Sequence, residues 1–227
     1  MKNKIVLFGD SVAKGIVFDS ENRRYTHGAE SFIQLFCSKE GYELTDHALF
    51  GCTLTKGAQL VKRHCADMDG SRAVFLMLGG NDCNFDWKAV SKAPDEDHLC
   101  CTPPEQFYTE YRALIEFIRK QGSRPIMFNM VPVLGRQYFD WISRNCDGDS
   151  IMEFLGCPER IEHWKEMYSL LLQRIAGSCG VPILDLRSVL LQRKDIGDFY
   201  CPDGIHPNAD GHRLLYGLRK DELKELI

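Results

Sequence analysis

Short apolar runs alternate along the chain with longer segments in which apolar residues recur at helical spacing. The short runs lie at residues 4–8, 43–48, 73–78, 125–131 and 181–186. Runs of this length, rich in branched and aromatic residues, are typical of strands buried in a sheet. Their alternation with helical segments predicts a parallel sheet that is covered by helices on both faces.

Helical periodicity marks the segments between these runs. It predicts helices at residues 29–39, 56–66, 104–121, 159–178 and 208–218. In the first of them, Phe32 and Phe36 fall on one side and Gly41 supplies the stop signal. Pro103 and Pro104 are suited to the start of the third helix. We find neither a repeat nor a linker, so we expect one domain over residues 1–227.

Two stretches, residues 83–103 and 133–158, are too long to be plain connections. Loops of this length commonly serve as lids or substrate walls. Aromatic residues concentrate in them, at Phe85, Trp87, Tyr138, Phe139 and Trp141. These side chains can wall an acyl or sugar site, or they can anchor the loops to the domain, and the sequence favours neither. Arg136 and Arg144 can meet an anionic group, although exposed arginine is the ordinary case.

Composition and charge narrow the class of protein. The 227 residues are 44% hydrophobic and 26% charged, which is typical of a globular domain with one core. The net charge of -4 and the absence of a basic stripe argue against a nucleic-acid partner. The apolar run at residues 5–8 is too short for a signal peptide or a membrane anchor. We therefore expect a cytoplasmic protein, with a trimmed leader as the alternative, and its oligomeric state stays open.

The chain has ten cysteines but no CxxC pair. This pattern disfavours a structural zinc site and favours reduced thiols in a reducing compartment. The segment with His98, Cys100 and Cys101 is the one place where metal ligands could collect, although incidental loop residues are the favoured interpretation. We expect no metal and no cofactor.

Residues suited to catalysis follow four of the predicted strands. They are Gly9-Asp10-Ser11, Gly51, Gly80-Asn81-Asp82 and the segment at residues 203–206. Because the carboxyl ends of parallel strands meet at one edge of a sheet, these residues should converge there. Ser11 is suited to be a nucleophile and His206 a general base. Asp203 stands three residues before His206, where its carboxylate can orient the imidazole.

Serine catalysis also needs donors for the developing oxyanion. The candidates are the backbone N–H groups of Ser11 and Gly51 and the side-chain amide of Asn81. Gly57 competes with Gly51, because a single glycine is a weak marker. Asp10 and Asp82 are better suited to bracing their turns than to acting on substrate.

At this point the chain resembles a known family. FGDSVAKG at residues 8–15, Gly51 within HALFGCTL, GGND at residues 79–82 and DGIHP at residues 203–207 resemble, in order and spacing, the four blocks of the SGNH or GDSL acylhydrolases. One departure is Val12, where the family motif has leucine. The resemblance implies a three-layer α/β/α flavodoxin-like fold with about five parallel strands. It also implies a Ser-His-Asp triad and oxyanion donors at Ser11, Gly51 and Asn81.

We therefore expect a serine esterase that works through an acyl-enzyme on a small-molecule ester. The absence of a membrane-binding amphipathic segment favours a small acyl group, such as acetate on a carbohydrate, over a long lipid chain. A lysophospholipase, a thioesterase and an acyltransferase with the same triad are alternatives. A non-catalytic carbohydrate- or lipid-binding module is an alternative of another class. The remaining histidines, His27, His47, His64, His163 and His212, are expected at the surface or satisfied in the core.

Overall fold

The computed structural model describes residues 3–28 and 30–227 of the chain. Within these residues the strands are β1 (Lys4–Gly9), β2 (Ile16–Asp19), β3 (Arg24–His27), β4 (Glu43–Asp46), β5 (Ala73–Met77), β6 (Pro125–Phe128) and β7 (Ile183–Leu184). The α-helices there are α1 (Ser11–Lys14), α2 (Phe32–Glu40), α3 (Leu54–Arg63), α4 (Trp87–Val90), α5 (Pro104–Lys120), α6 (Gly135–Ile142), α7 (Gly148–Leu155), α8 (Glu159–Cys179), α9 (Arg187–Leu191) and α10 (Ala209–Leu226).

Five of the strands form a central parallel sheet in the order β4-β1-β5-β6-β7. From β1 the chain first moves to one side, to β4, and then crosses to β5 on the other side. This strand order is that of the flavodoxin-like doubly wound fold, whose ligands bind at the carboxyl ends of the strands where the winding reverses. The predicted fold class is confirmed, and the reversal lies between β1 and β5.

Helices cover both faces of this sheet. Phe8 belongs to a core shared with Tyr111 of α5 and Tyr168 of α8, and α3 joins the same face. Leu7, which points the other way, belongs to a core shared with Phe36 of α2 and with residues of α9 and α10. Because successive strand side chains alternate between faces, two apolar layers require the continuous apolar runs seen in β1 and β5.

Several predicted boundaries move for local reasons. Helix α2 begins at Phe32 because Ser31 and Gln34 form a capping box, and the predicted start at Ala29 lies outside the described residues. Helix α10 continues to Leu226 because Leu223 is buried on the same side as Leu215. Strand β7 is only two residues long, and it pairs with Met127 and Phe128 of β6 at the edge of the described sheet.

The two long stretches are folded rather than loop-like. The first contains α4, and the second contains α6 and α7. Together with the start of α8 these helices bury a small core of their own, which includes Val90, Tyr138, Ile151 and Ile161. An antiparallel hairpin of β2 and β3, which the sequence analysis did not predict, follows α1.

Candidate active site

The first turn after β1 positions Ser11. Asp10 caps the short helix α1, and its Oδ1 accepts a hydrogen bond from the Val12 N–H at 3.0 Å. A Cβ on Gly9 would lie 2.4 Å from the Cβ of Ala13, so only glycine allows the strand to turn this closely into the helix. Ser11, the first residue of α1, is therefore held at the carboxyl edge of the sheet.

Ser11 is the first member of a hydrogen-bonded chain of three side chains. Its Oγ lies 2.8 Å from Nε2 of His206, and Nδ1 of His206 lies 2.6 Å from Oδ2 of Asp203. The other oxygen of Asp203 accepts the backbone N–H groups of Ile205 and His206 at 3.0 and 3.1 Å. With Nδ1 protonated, the imidazole donates to Asp203 and its Nε2 accepts the Ser11 hydroxyl.

Asp203 is fully buried, yet it stays the charged partner of this chain. Burial by itself raises the pKa of Asp203, but the hydrogen bond and charge of His206 and the two backbone N–H groups outweigh it. The net result is a lowered pKa. The carboxylate can therefore hold the imidazole in one tautomer and stabilise its protonated form.

A fourth side chain that the sequence analysis missed contacts Asp203. The hydroxyl of Tyr25, on β3, donates to Oδ2 of Asp203 at 2.9 Å, and its ring lies 5.2 Å from that of His206. Burial and the neighbouring Asp203 both raise the pKa of Tyr25, so its hydroxyl keeps its proton. The available signal was the pair of short β-type runs at residues 16–19 and 24–27 around a polar turn.

The three predicted oxyanion donors line one cavity of about 140 Å³ together with His206. The Asn81 side-chain amide donates to the Cys52 carbonyl at 3.1 Å, which ties its loop to that of Gly51 and leaves one amide hydrogen available. Among residues 3–28 and 30–227 we find no acceptor for the N–H of Ser11 or of Gly51. Both groups can thus donate to a bound ligand.

The two glycines considered for this role differ in place. Gly51 lies at the cavity with a φ of +67°, and a Cβ there would meet nothing within 4 Å, so its backbone conformation, and not lack of space, calls for glycine. Gly57 lies inside α3, where a Cβ would stand 2.5 Å from a methyl group of Leu78. Gly57 is therefore a packing glycine.

The two flanking aspartates contact backbone. Asp82 is fully buried and accepts the Leu54 N–H at 2.9 and 3.0 Å and the Thr102 hydroxyl at 2.6 Å. Burial raises the pKa of Asp82 to about 6. Burial likewise raises the pKa of Asp10, whose contacts hold the turn before Ser11. Both sets of contacts are those of turn support.

The two long stretches, residues 83–103 and 133–158, are insertions in the fold. Their aromatic residues divide into two groups. Phe85, Trp87 and Tyr138 line a second cavity of about 240 Å³ beside the first one. Phe139 is buried in the small core of the insertions, and Trp141 packs edge-on against Phe18 of the hairpin at 4.5 Å. The insertions therefore use some aromatic residues as walls and others as anchors.

The two arginines of the second insertion do not line either cavity. Arg136 pairs with Asp140 at the surface, and Arg144 lies over the Trp141 ring at 4.2 Å. Lys165 of α8, which the sequence analysis did not single out, lines both cavities.

The segment considered for metal ligands does not form a cluster in the described chain. His98 binds the Ala93 carbonyl, Cys100 contacts the hydroxyl of Tyr168, and Cys101 is exposed. All ten cysteines are free thiols in the structure.

Two of the remaining histidines do come together with an acidic residue. His47, His64 and Asp67 offer ligand atoms within 4.8 Å of one another, and Nε2 of His47 lies 2.9 Å from Oδ2 of Asp67. The two imidazole rings stack at 4.1 Å. Each of these histidines was predicted to lie at the surface or in the core, and the cluster was not predicted. Across the described residues, no helix is both long and apolar enough to cross a membrane.

Comparison with known proteins gives a family match and a set of similar folds. Residues 7–214 match the GDSL-like lipase/acylhydrolase family. No curated protein matches the chain significantly. The structure of a lipase/acylhydrolase from Enterococcus faecalis superposes with a TM-score of 0.69 at 18% identity, covering 99% of this chain and 96% of that one.

Two further structures share the fold over their whole length. An aryl esterase of M. smegmatis has a TM-score of 0.68 at 18% identity, with both chains covered completely. The psychrotrophic esterase EstA of Pseudoalteromonas sp., in a structure inhibited by monoethylphosphonate, has a TM-score of 0.61 at 13% identity, with 99% and 98% covered. At these identities the likeness extends to the fold alone.

Proposed function

Because the chain belongs to the GDSL-like lipase/acylhydrolase family and is an ester-bond hydrolase, we propose that Ser11 is its nucleophile. The observation that carries the proposal is the hydrogen-bonded chain from Asp203 through His206 to the Ser11 hydroxyl. A serine hydroxyl is a weak nucleophile until an adjacent base removes its proton. His206 has one nitrogen for that task, and the other is held by Asp203.

In the proposed reaction the Ser11 Oγ attacks the ester carbonyl carbon while His206 Nε2 takes the hydroxyl proton. The tetrahedral intermediate collapses, the bond to the alcohol oxygen breaks, and His206 returns the proton to the leaving alcohol. A water molecule then attacks the acyl-enzyme by the same route and releases the acid and free Ser11. The carboxylate of Asp203 stabilises the imidazolium in both halves of the cycle.

The developing oxyanion would be held by the N–H groups of Ser11 and Gly51 and by the Asn81 amide. Two observations support this role: all three groups line one cavity with His206, and each has a hydrogen to donate. Donors that are already positioned need no reorganisation as the charge develops, which is why they lower the barrier.

The substrate we propose is an ester of a small acid, such as an acetylated carbohydrate. The cavity beside Ser11 is the smaller of the two, at about 140 Å³, and this size supports a short acyl group. The aromatic walls of the neighbouring cavity support a ring in the rest of the molecule, because aromatic faces pack against sugar or aryl rings.

The test is hydrolysis of a p-nitrophenyl ester series from acetate to palmitate by the wild type and by Ser11→Ala and His206→Ala. Each variant should lose nearly all turnover, by about 10⁶-fold for a serine triad, while its thermal unfolding matches the wild type. Ser38→Ala, at an exposed serine, is the control that should keep full activity. Full activity in Ser11→Ala would overturn the mechanism, and a rate maximum at long chains would overturn the small acyl group.

Labelling with an organophosphonate gives a second readout. EstA was captured in a structure inhibited by monoethylphosphonate, and a reagent of this class should modify Ser11 here. Mass spectrometry of the wild type should place the adduct on the peptide with Ser11, and the Ser11→Ala variant should stay unlabelled.

A further inference from the structure

The second cavity opens beside the proposed catalytic one and shares Asn84 and Lys165 with it. Aromatic side chains form much of its wall: Phe85, Trp87, Tyr138, Phe154 and Trp164. Phe85 packs against three of the others, with ring centroids 5.4 to 5.6 Å apart. Hydrogen bonds from Trp87 Nε1 to the Tyr138 hydroxyl and from Trp164 Nε1 to the Cys83 carbonyl fix two of the rings. The walls are therefore preformed.

Lys165 places a buried cation at the junction of the two cavities. Lys165 is only 8% exposed, and its Nζ donates to the Gly80 carbonyl at 3.1 Å. Within residues 3–28 and 30–227 no carboxylate lies within ion-pair distance of this Nζ. An ammonium group has three hydrogens to donate, so two remain for a ligand.

A buried charge without a partner is costly, because desolvation of an ion in a protein costs several kcal/mol. Asp10 of the catalytic cavity interacts electrostatically with Lys165, but within the described residues it forms no ion pair with the Nζ. Gly80 adjoins both side chains, since its carbonyl accepts from Lys165 and a Cβ on it would lie 2.9 Å from Oδ2 of Asp10. The site is thus better suited to receive an anion than to stay empty of one.

The other charged residues of the second cavity do not change the sign that Lys165 gives it. Arg160 and Asp97 line its outer part and are both exposed, and His98 is engaged with a backbone carbonyl. The exposed pair balances in charge, so Lys165 sets the sign at the buried end. The Tyr138 ring lies 5.9 Å from the Lys165 Nζ, which is within the range of a cation–π contact.

We propose that the second cavity binds a ring that carries a carboxylate, and that this ring belongs to the ester substrate. The aromatic walls hold the ring and Lys165 binds its carboxylate through charge-assisted hydrogen bonds. The assignment of this ligand to an ester rests on the function proposed above. The enzyme would thus select esters of small acids with an acidic aryl or sugar ring.

Binding of non-hydrolysable fragments tests this ligand class. Two matched pairs differ only in the anionic group: 3-phenylpropionate with 3-phenylpropanamide, and methyl glucuronide with methyl glucoside. Trp87 and Trp164 line the cavity, so tryptophan fluorescence reports occupancy, and Trp141→Phe should keep the signal. The carboxylate of at least one pair should bind about tenfold more tightly than its neutral partner.

Variants at position 165 test whether Lys165 causes the preference for the anion over its neutral partner. Lys165→Gln can still donate to the Gly80 carbonyl and should bring the anion-to-neutral affinity ratio close to one. Lys165→Arg keeps the charge and should keep a preference of severalfold. Lys92→Met, at an exposed lysine outside both cavities, should leave the ratio unchanged.

The outcomes are separable from those of the catalytic test. Because binding is measured without turnover, Ser11→Ala should bind the fragments as the wild type does, whether or not Ser11 is the nucleophile. Preference in the phenyl pair alone identifies an aryl acid, and preference in the sugar pair alone identifies a uronic acid. Equal affinities within both pairs for the wild type, or an unchanged ratio in Lys165→Gln, would overturn the proposal.

Discussion

The two neighbouring cavities differ in what holds their walls in place. The catalytic cavity is built on turns that follow buried parallel strands, and its polar atoms are fixed by hydrogen bonds of 2.6 to 3.1 Å. The second cavity is built by inserted helices, and its rings are fixed mainly by packing within the small core of α4, α6, α7 and α8. The catalytic cavity is thus part of the central sheet's own turns, whereas the second cavity is formed largely by helices that pack beside the sheet.

This difference suits the two cavities to different tasks: the first to holding the reacting groups, the second to recognising the rest of the substrate. A reacting group must be held within about 0.5 Å of its productive position, and short turns on a rigid sheet can supply that precision. Recognition of a ring by aromatic faces tolerates larger adjustments, because the attraction depends on area more than on a single distance. Changes in the first region should therefore lower rates, and changes in the second should alter preference among substrates.

After the loss expected for Ser11→Ala and His206→Ala, the largest effect should come from Asp203→Asn. An amide in place of the carboxylate favours the wrong imidazole tautomer and no longer stabilises the imidazolium, so kcat should fall by about 10⁴-fold. Steady-state kinetics on p-nitrophenyl acetate measure this. Asp198→Asn, at an exposed aspartate of the preceding turn, is the matched control and should keep its activity. A loss of less than tenfold in Asp203→Asn would break the distinction between the regions.

Asn81→Ala should have the next largest effect on rate. Loss of one oxyanion donor typically lowers kcat by about 10² to 10³, with little change in KM, since the donor acts on the transition state. Asn84→Ala removes an amide that lines the same cavity but lies outside the predicted donor set, so its kcat should change much less. Equal losses in the two variants would contradict the assignment.

His212 is a buried histidine near the catalytic cavity, and it offers a comparison with His206, whose partner is a carboxylate. His212 is fully buried, and its Nδ1 accepts the Phe32 N–H at 3.3 Å. Burial lowers the pKa of His212 to about 4. Between pH 4 and 6.5 the unfolded chain binds the extra proton, so stability is fully present above pH 6.5 and is lost as the pH falls towards 4. The loss amounts to about 3 kcal/mol.

The measurement is urea unfolding of the wild type and of His212→Gln at pH 4, 5 and 7. Glutamine can accept the same backbone N–H but does not titrate, so its stability should fall less with acid than that of the wild type. Parallel pH profiles of the two proteins would show that His212 carries no such linkage.

The smallest effect should come from Phe85→Leu in the second cavity. Loss of its aromatic contacts is worth about 0.5–1.5 kcal/mol, so preference for ring-bearing esters over p-nitrophenyl acetate should drop by about two- to twelvefold. Phe139→Leu, in the small core behind the wall, is the control and should not shift that preference. An equal fall for both kinds of ester in Phe85→Leu would indicate a general loss of structure instead.

Much of the fold was predictable because its strands are buried on both faces. Continuous apolar runs such as that of β5 have no plausible place outside a covered sheet, and their spacing left room for a helix in each connection. The hairpin and the helices α6 and α7 were not predictable in the same way. They are only four to eight residues long, and so short a segment does not repeat its pattern often enough to identify the element.

The candidate site divides along the same line. Ser11, Asp203 and His206 stand in motifs whose residue types are demanded by a chemistry that can be named in advance. Tyr25 and Lys165 have no such motif. Tyr25 lies 178 residues from Asp203, and Lys165 lies 85 residues from Gly80, so only the packing of separate elements brings each pair together.

The sequence by itself determined the class of fold, the family and the candidate nucleophile, base and orienting acid. It could do so because strand burial and the turns at strand ends are local properties that leave regular patterns. The tertiary structure decided that Gly51 and not Gly57 lies at the cavity, and that Tyr25 supports Asp203. It also placed Lys165 among aromatic walls, since such contacts depend on distances between elements that no local pattern records.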